Sequence, residues 1–161
     1  MQIKRVCLWL LVIVTASLIF FFSAMNGSDS MELSSGFTVW FMHIFHPDYE
    51  SMSPEKQKQI YELFVFIVRK AAHFTEFAAL GMSLILLLRE YRLPHAAKWA
   101  WAIGTVYAGT DELHQYFNGT RTPSLQDVAI DSAGVLFGVL VMILLCYLIR
   151  QIKSKQQNKT G

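Results

Sequence analysis

Residues 128–149 read VAIDSAGVLFGVLVMILLCYLI, an apolar run interrupted by one charged side chain, Asp131. A hydrocarbon core about 30 Å thick needs roughly 20 apolar residues in a helix, so this stretch is long enough to cross one. Lipid offers no partner for backbone N–H and C=O groups. An apolar run of this length is therefore helical, not extended. Two glycines spaced by four, Gly134 and Gly138, give one side of that helix a surface on which a neighbouring backbone can lie closely.

Working outward, three more blocks approach the same length: residues 6–24, 71–88 and 99–117. The first is as clean as the last. The middle two carry His73, Thr75, Glu76 and Ser83, then Asp111, Glu112, His114 and Gln115, which lowers their hydropathy without removing the pattern. Ala100, Gly104 and Ala108 offer the third span a small-residue face of its own. The chain is 53% hydrophobic and 16% charged, greasier than a soluble domain of 161 residues. The expected fold is all-α: one integral membrane domain over residues 1–161, a bundle of about four transmembrane helices.

The first span follows Lys4 and Arg5 and could pass for a secretory signal. Its apolar run exceeds the ~7–15 residues of such a segment, and no A-x-A-like site follows, so it is read as a retained anchor. Cys7 and Cys146 lie in neither a disulfide framework nor a metal-ligand spacing. The net charge of +2 is spread in small groups that flank apolar blocks, which excludes a nucleic-acid-binding arm.

Residues 25–70 form the long connection. A Ser/Asn/Gly/Asp-rich stretch from Asn26 to Gly36 precedes the aromatic FTVWFMHIF of residues 37–45, too short to span and expected to lie in the membrane interface. Ser53, Pro54 and Glu55 form a helix start, and Ile60, Leu63, Phe64 and Ile67 recur at helical spacing as a lead-in to the second span. Pro94 breaks the chain after Arg92, and residues 118–124 form a turn. Lys4, Arg5, Arg89, Arg92, Lys98 and the basic tail of residues 150–161 fall on one side of a four-span chain. Positive charge is retained in the cytoplasm during insertion, so both termini are expected there, with the connection and the turn outside.

The polar residues then sort by helical spacing. Lys70, His73 and Glu76 share a face at the outer end of the second span; Asp111, Glu112, His114 and Gln115 sit at the outer end of the third; Asp127 and Asp131 lie at the outer end of the fourth, with Arg121 in the turn between. Charged groups in a bilayer are costly and turn toward one another, toward water or toward a ligand. Lys70, His73, Glu76, Asp111, Glu112, Gln115, Arg121, Asp127 and Asp131 are the candidate ligand-binding set. A plain interhelical hydrogen-bond network is the simpler reading of the same residues. His43, His46 and His95 are read as surface or interfacial residues.

The pattern Lys70-x-x-His73-Phe74-x-Glu76-Phe77, then Asp111-Glu112-x-x-Gln115-x-Phe117, Arg121, Asp127-Val128 and Gly134-x-x-x-Gly138 resembles the VanZ-like family of bacterial membrane proteins, named for a protein associated with teicoplanin resistance. Phe22-Ser23-Ala24 and the serines Ser28, Ser30, Ser34 and Ser35 are similar to that family's segment after the first span. Departures are Phe77 where Tyr is frequent, Thr120 where Gly is common before Arg121, and Asp131 where Asn is usual. The resemblance implies a four-helix protein of the bacterial cytoplasmic membrane that reduces susceptibility to lipid-bearing glycopeptides; it supplies no reaction.

Two functions fit. One is recognition, at the outer leaflet, of an anionic lipid, a cell-wall precursor or a lipoglycopeptide, with Lys70 and Arg121 as anion contacts. The other is a membrane-embedded hydrolase or transferase on a lipid-linked substrate, with Glu76, Asp111, Glu112, His114 and Asp127 as acid–base candidates and His73, Glu76, Asp111 and His114 as metal candidates. No zincin, nucleophile-elbow or P-loop spacing supports the second. Ion-coupled transport would need polar groups deeper in the bilayer, where Ser83 stands alone.

Overall fold

The computed structural model describes residues 2–24, 27–117 and 124–160, and among them every regular element is helical. The order is α1 (Gln2–Ala24), α2 (Gly27–Phe45), a 3-10 turn (Tyr49–Ser51), α3 (Pro54–Glu90), α4 (Ala96–Phe117) and α5 (Leu125–Thr160). By length and composition α1, α3 and α5 can each cross a membrane. The 22 residues of α4 have the length, about 33 Å, but Asp111, Glu112, His114 and Gln115 dilute its apolar character. Residues 36–45 form the apolar part of α2, about 15 Å long and half of what a crossing needs.

Two boundaries differ from the expectation. The Ser/Gly/Asp-rich stretch expected as a connection is helical from Gly27 and continues into the aromatic segment as one helix. Within the expected basic tail of residues 150–161, α5 continues as helix to Thr160. The start of α3 is as read: Ser53 is its N-cap in an extended conformation, Pro54 occupies the first turn, and Gln57 N–H closes onto the Ser53 carbonyl at 3.0 Å. From there α3 runs without a break through the lead-in and the second span.

α3 is the hub, touching every other helix, and α5 lies along it most extensively. Their seam is built on small residues. A Cβ on Gly134 would come within 2.5 Å of the Phe74 carbonyl oxygen, one on Gly138 would strike the Ala78 carbonyl, and one on Gly81 the carbonyl of Val135. In lipid, where no hydrophobic force separates helices from solvent, such backbone approach gains dispersion contacts that larger residues would prevent. Phe77, Leu80, Leu84, Ile85, Ala100, Ala108, Val135 and Val139 fill the centre.

Side-chain hydrogen bonds tie the helices across the centre. Tyr107 donates to the Ala16 carbonyl at 2.7 Å, Trp101 Nε1 to Ser132 Oγ at 3.0 Å, and Thr15 and Ser83 share a bond at 3.3 Å. At the end that holds the chain's N-terminus, Lys4 Nζ pairs with Glu90 at 2.6 Å and the Arg5 guanidinium lies 4.8 Å from the Tyr91 ring centre. There α3 ends in a Schellman arrangement: Leu93 N–H bonds to Leu88 O, Arg92 N–H to Arg89 O, and Arg92 takes φ 54°, a left-handed conformation that glycine would adopt more easily. Val6, Leu10, Val14, Leu18 and Phe21 on α1, with Phe137, Leu140, Leu144 and Leu148 on α5, face outward as a lipid-compatible surface.

Candidate functional site

The antiparallel runs of α1 and α3 bring the end of α1 beside the start of the packed part of α3, and the end of α4 beside the start of α5. Four helix segments thus meet at the end of the bundle opposite the N-terminus. The polar residues gather there.

The innermost group is a buried triad. Ser23 Oγ donates to Asp111 Oδ2 at 2.9 Å, Gln115 Nε2 donates to the same oxygen at 3.0 Å, and Gln115 also donates to Ser23 Oγ at 2.7 Å. Asp111 and Gln115 are one turn apart on α4, so they meet as i, i+4 neighbours, while Ser23 reaches across from α1. A buried carboxylate in an apolar bundle requires such donors. Glu76, on α3, is close enough to Asp111 for their charges to repel.

Around this lies a second layer. Lys70 Nζ pairs with Asp127 Oδ1 at 2.5 Å, joining α3 to the first turn of α5, and the ammonium also sits 5.3 Å from the Phe66 ring centre. Asp127 stands where a helix N-terminus favours negative charge. Glu112 Oε1 accepts the backbone N–H of Ser124 at 2.8 Å, which ties the end of α4 to the beginning of α5. Asp131, one turn beyond Asp127, is 4% exposed, and among the described residues it has neither a hydrogen bond nor an ion pair.

Lys70, His73, Glu112, Gln115, Asp127 and Asp131 line a small open cleft between α3, α4 and α5. The expected residues therefore divide. Six surround the cleft directly; Glu76 and Asp111 stand beside it; His114 turns toward α1, its ring 4.2 Å from that of Phe20. The metal candidates His73, Glu76, Asp111 and His114 do not assemble, since no three His, Cys, Asp or Glu side chains among the described residues form a group that could hold a metal ion. Arg121 lies outside the described residues. Ser23 was not among the candidate ligands, although it completes the buried triad. Its sequence signal is its place in Phe22-Ser23-Ala24, the stretch similar to the family's segment after the first span.

Of the remaining histidines, His43 and His46 lie where α2 meets α3, and His95 is exposed in the turn between α3 and α4. His43 lies 3.9 Å from Glu50, and the His46 ring is 5.9 Å from that of Phe64. Here α2 rests on α3 through the Phe41–Phe64 ring pair, with Met42 and Thr38 buried and Phe37, Trp40 and Phe45 exposed. Aromatic rings in such a position suit the headgroup layer.

Comparison with family models matches residues 8–148 to the family described as VanZ/LLP1. The match spans all the helices that build the polar end. No curated protein and no solved structure matches the chain.

Proposed function

The chain belongs to the VanZ-like family of membrane proteins, and from that premise we propose that its polar end recognises the headgroup of an amphiphilic or lipid-linked molecule at the outer leaflet of the bacterial cytoplasmic membrane. Both termini are then cytoplasmic, consistent with basic residues at Lys4, Arg5, Arg89, Arg92 and Lys98 and along residues 150–155. The observation that carries the reading is the open cleft itself. Polar groups from three helices line a concave surface at one end of a bundle whose flanks are apolar, so a molecule anchored in lipid can present its headgroup there.

The carboxylates support binding more than acid–base chemistry. Asp111, Glu112 and Asp127 each already accept a donor that positions a helix, and a group so used is held in place and not poised to transfer a proton. Lys70, expected to meet an anion, is engaged by Asp127, so the headgroup is recognised by the cleft's combined donors and acceptors and not by a free lysine. The reduced lipoglycopeptide susceptibility that the resemblance implies would follow if the recognised headgroup belongs to the antibiotic or to its membrane-bound target.

The test is native mass spectrometry of the chain purified in mild detergent from bacterial membranes, beside Glu112→Gln and Lys70→Met. An amphiphile retained at one per chain by the parent and lost from both variants is expected. Retention of bulk lipid alone, identical in all three, would refute the proposal. Expression in a teicoplanin-susceptible host addresses the phenotype: a raised inhibitory concentration supports the lipoglycopeptide version, and an unchanged one removes it.

A further inference from the structure

Resting on the reading of the cleft as a headgroup site, we propose that it is built for a primary ammonium group carried by a membrane amphiphile. The described wall holds Lys70, His73 and the Gln115 amide beside three carboxylates, Glu112, Asp127 and Asp131. Lys70 is matched to Asp127 at 2.5 Å, and that pair is self-contained. Two acids remain.

Asp131 is the decisive one. It is 4% exposed, it lines the cleft, and among the described residues no donor reaches it by hydrogen bond or ion pair. An ionised carboxylate is an acceptor only, and burying one without donors is a severe penalty unless something supplies them. Asp111, Asp127 and Glu112 all act on Asp131 with charge of its own sign, and Lys70 alone opposes them. Other acceptors also face the cleft: Lys70 occupies only Oδ1 of Asp127, and Ser124 N–H only Oε1 of Glu112.

A primary ammonium answers this arrangement term by term. It brings one positive charge and N–H donors, one of which Asp131 can accept while the others turn to further acceptors along the cleft or to water. The chain already shows the chemistry once, in the Lys70 ammonium on Asp127; a ligand amine would repeat it on Asp131. A phosphate or carboxylate would instead add charge of the wall's own sign. A quaternary ammonium has no N–H to give and is held by aromatic cages, whereas among the described residues no Phe, Tyr or Trp lines this cleft. A divalent ion wants several oxygen ligands converging, and no three-residue group of that kind occurs among the described residues.

The amine can belong to an ethanolamine phospholipid or to a lipid-linked glycan or peptide. The test titrates the full chain in detergent with dihexanoyl phosphatidylethanolamine, its phosphatidylcholine and phosphatidylglycerol counterparts, octylamine and magnesium ion, reading the thermal midpoint. Phosphatidylethanolamine is expected to raise the midpoint at concentrations at least tenfold below phosphatidylcholine. Octylamine acting equally well supports an amine of any source; phosphatidylethanolamine acting alone supports the phospholipid. In Asp131→Asn, which keeps the shape of the side chain, amine binding should weaken at least tenfold while the ligand-free melting transition is retained; Glu112→Gln gives a second, smaller loss. Phosphatidylglycerol binding as tightly as phosphatidylethanolamine would overturn the inference and leave headgroup recognition standing, as would an Asp131-dependent response to magnesium alone. Amine binding unchanged in a folded Asp131→Asn chain overturns it too. No response to any amphiphile would remove both readings.

Discussion

Replacing Gly134 and Gly138 of the α3–α5 seam one at a time by alanine, beside Gly104 and Gly109 of α4, gives a graded test of how α3 and α5 lie together. The same methyl group is added each time; only what it meets differs. At Gly134 the new Cβ would stand 2.5 Å from the Phe74 carbonyl oxygen, against an ordinary contact of 3.4–4 Å, so the helices must separate by most of an ångström. Gly138 is tighter still, against the Ala78 backbone, and backbone cannot rotate away. At Gly104 the obstacle is Cγ1 of Val135, also at 2.5 Å, but it belongs to a side chain. At Gly109 nothing lies within 4 Å. Overpacking in a filled core costs about 1–3 kcal/mol, and removing a helical glycine returns up to ~1 kcal/mol. The expected order is Gly138→Ala destabilised by about 3 kcal/mol, Gly134→Ala by about 2, Gly104→Ala by about 1, and Gly109→Ala neutral or stabilised by up to ~1. Unfolding in mixed micelles, followed by the fluorescence of the four tryptophans, measures this. Equal effects at Gly138 and Gly109 would refute the seam.

Three further outcomes follow from the contacts. Ser23→Ala removes a donor from Asp111 and an acceptor from Gln115, both buried, and should cost about 1–3 kcal/mol in the same unfolding assay, with Ser23→Thr recovering part of it. Arg92→Gly relieves a left-handed backbone at the end of α3 and should stabilise by about 1 kcal/mol; no gain would mean that the Arg92 side chain contributes there. Lys70→Met and Asp127→Asn, singly and together, should show a coupling of about 1–2 kcal/mol, reduced from that of a fully buried pair because both side chains retain some exposure. A coupling near zero would place the two groups apart.

Much of this architecture is legible in the sequence because lipid imposes simple rules. Long apolar runs must be helices, Ser53 and Pro54 mark the start of α3, and Gly134-x-x-x-Gly138 identifies the close face of α5. The gathering of acids at one end also follows from spacing once helices alternate in direction. Partners are a different matter. That Lys70 meets Asp127 and not an incoming anion depends on how far α3 and α5 slide past one another, which the Gly134 and Gly138 contacts with Phe74 and Ala78 decide. Ser23 is silent in hydropathy, because one hydroxyl hardly alters that of α1, and only the family-like Phe22-Ser23-Ala24 marks it. The serine-rich stretch after α1 reads as a connection because serine, glycine and aspartate favour turns locally, yet from Gly27 it continues as the helix that carries Phe37–Phe45 onto α3. Asp131 reads as one more acid in a row; only the structure distinguishes it as a buried carboxylate that no donor among the described residues reaches.

The central claim, a polar site open to the outer face, is tested most directly by labelling a single cysteine at Ser124, the residue whose N–H is held by Glu112 at the cleft. With Cys7 and Cys146 replaced, a membrane-impermeant maleimide should label Ser124→Cys in intact cells at the level reached after permeabilisation. Labelling that appears only when the cytoplasmic face is opened would contradict the placement of the site and both functional readings built on it.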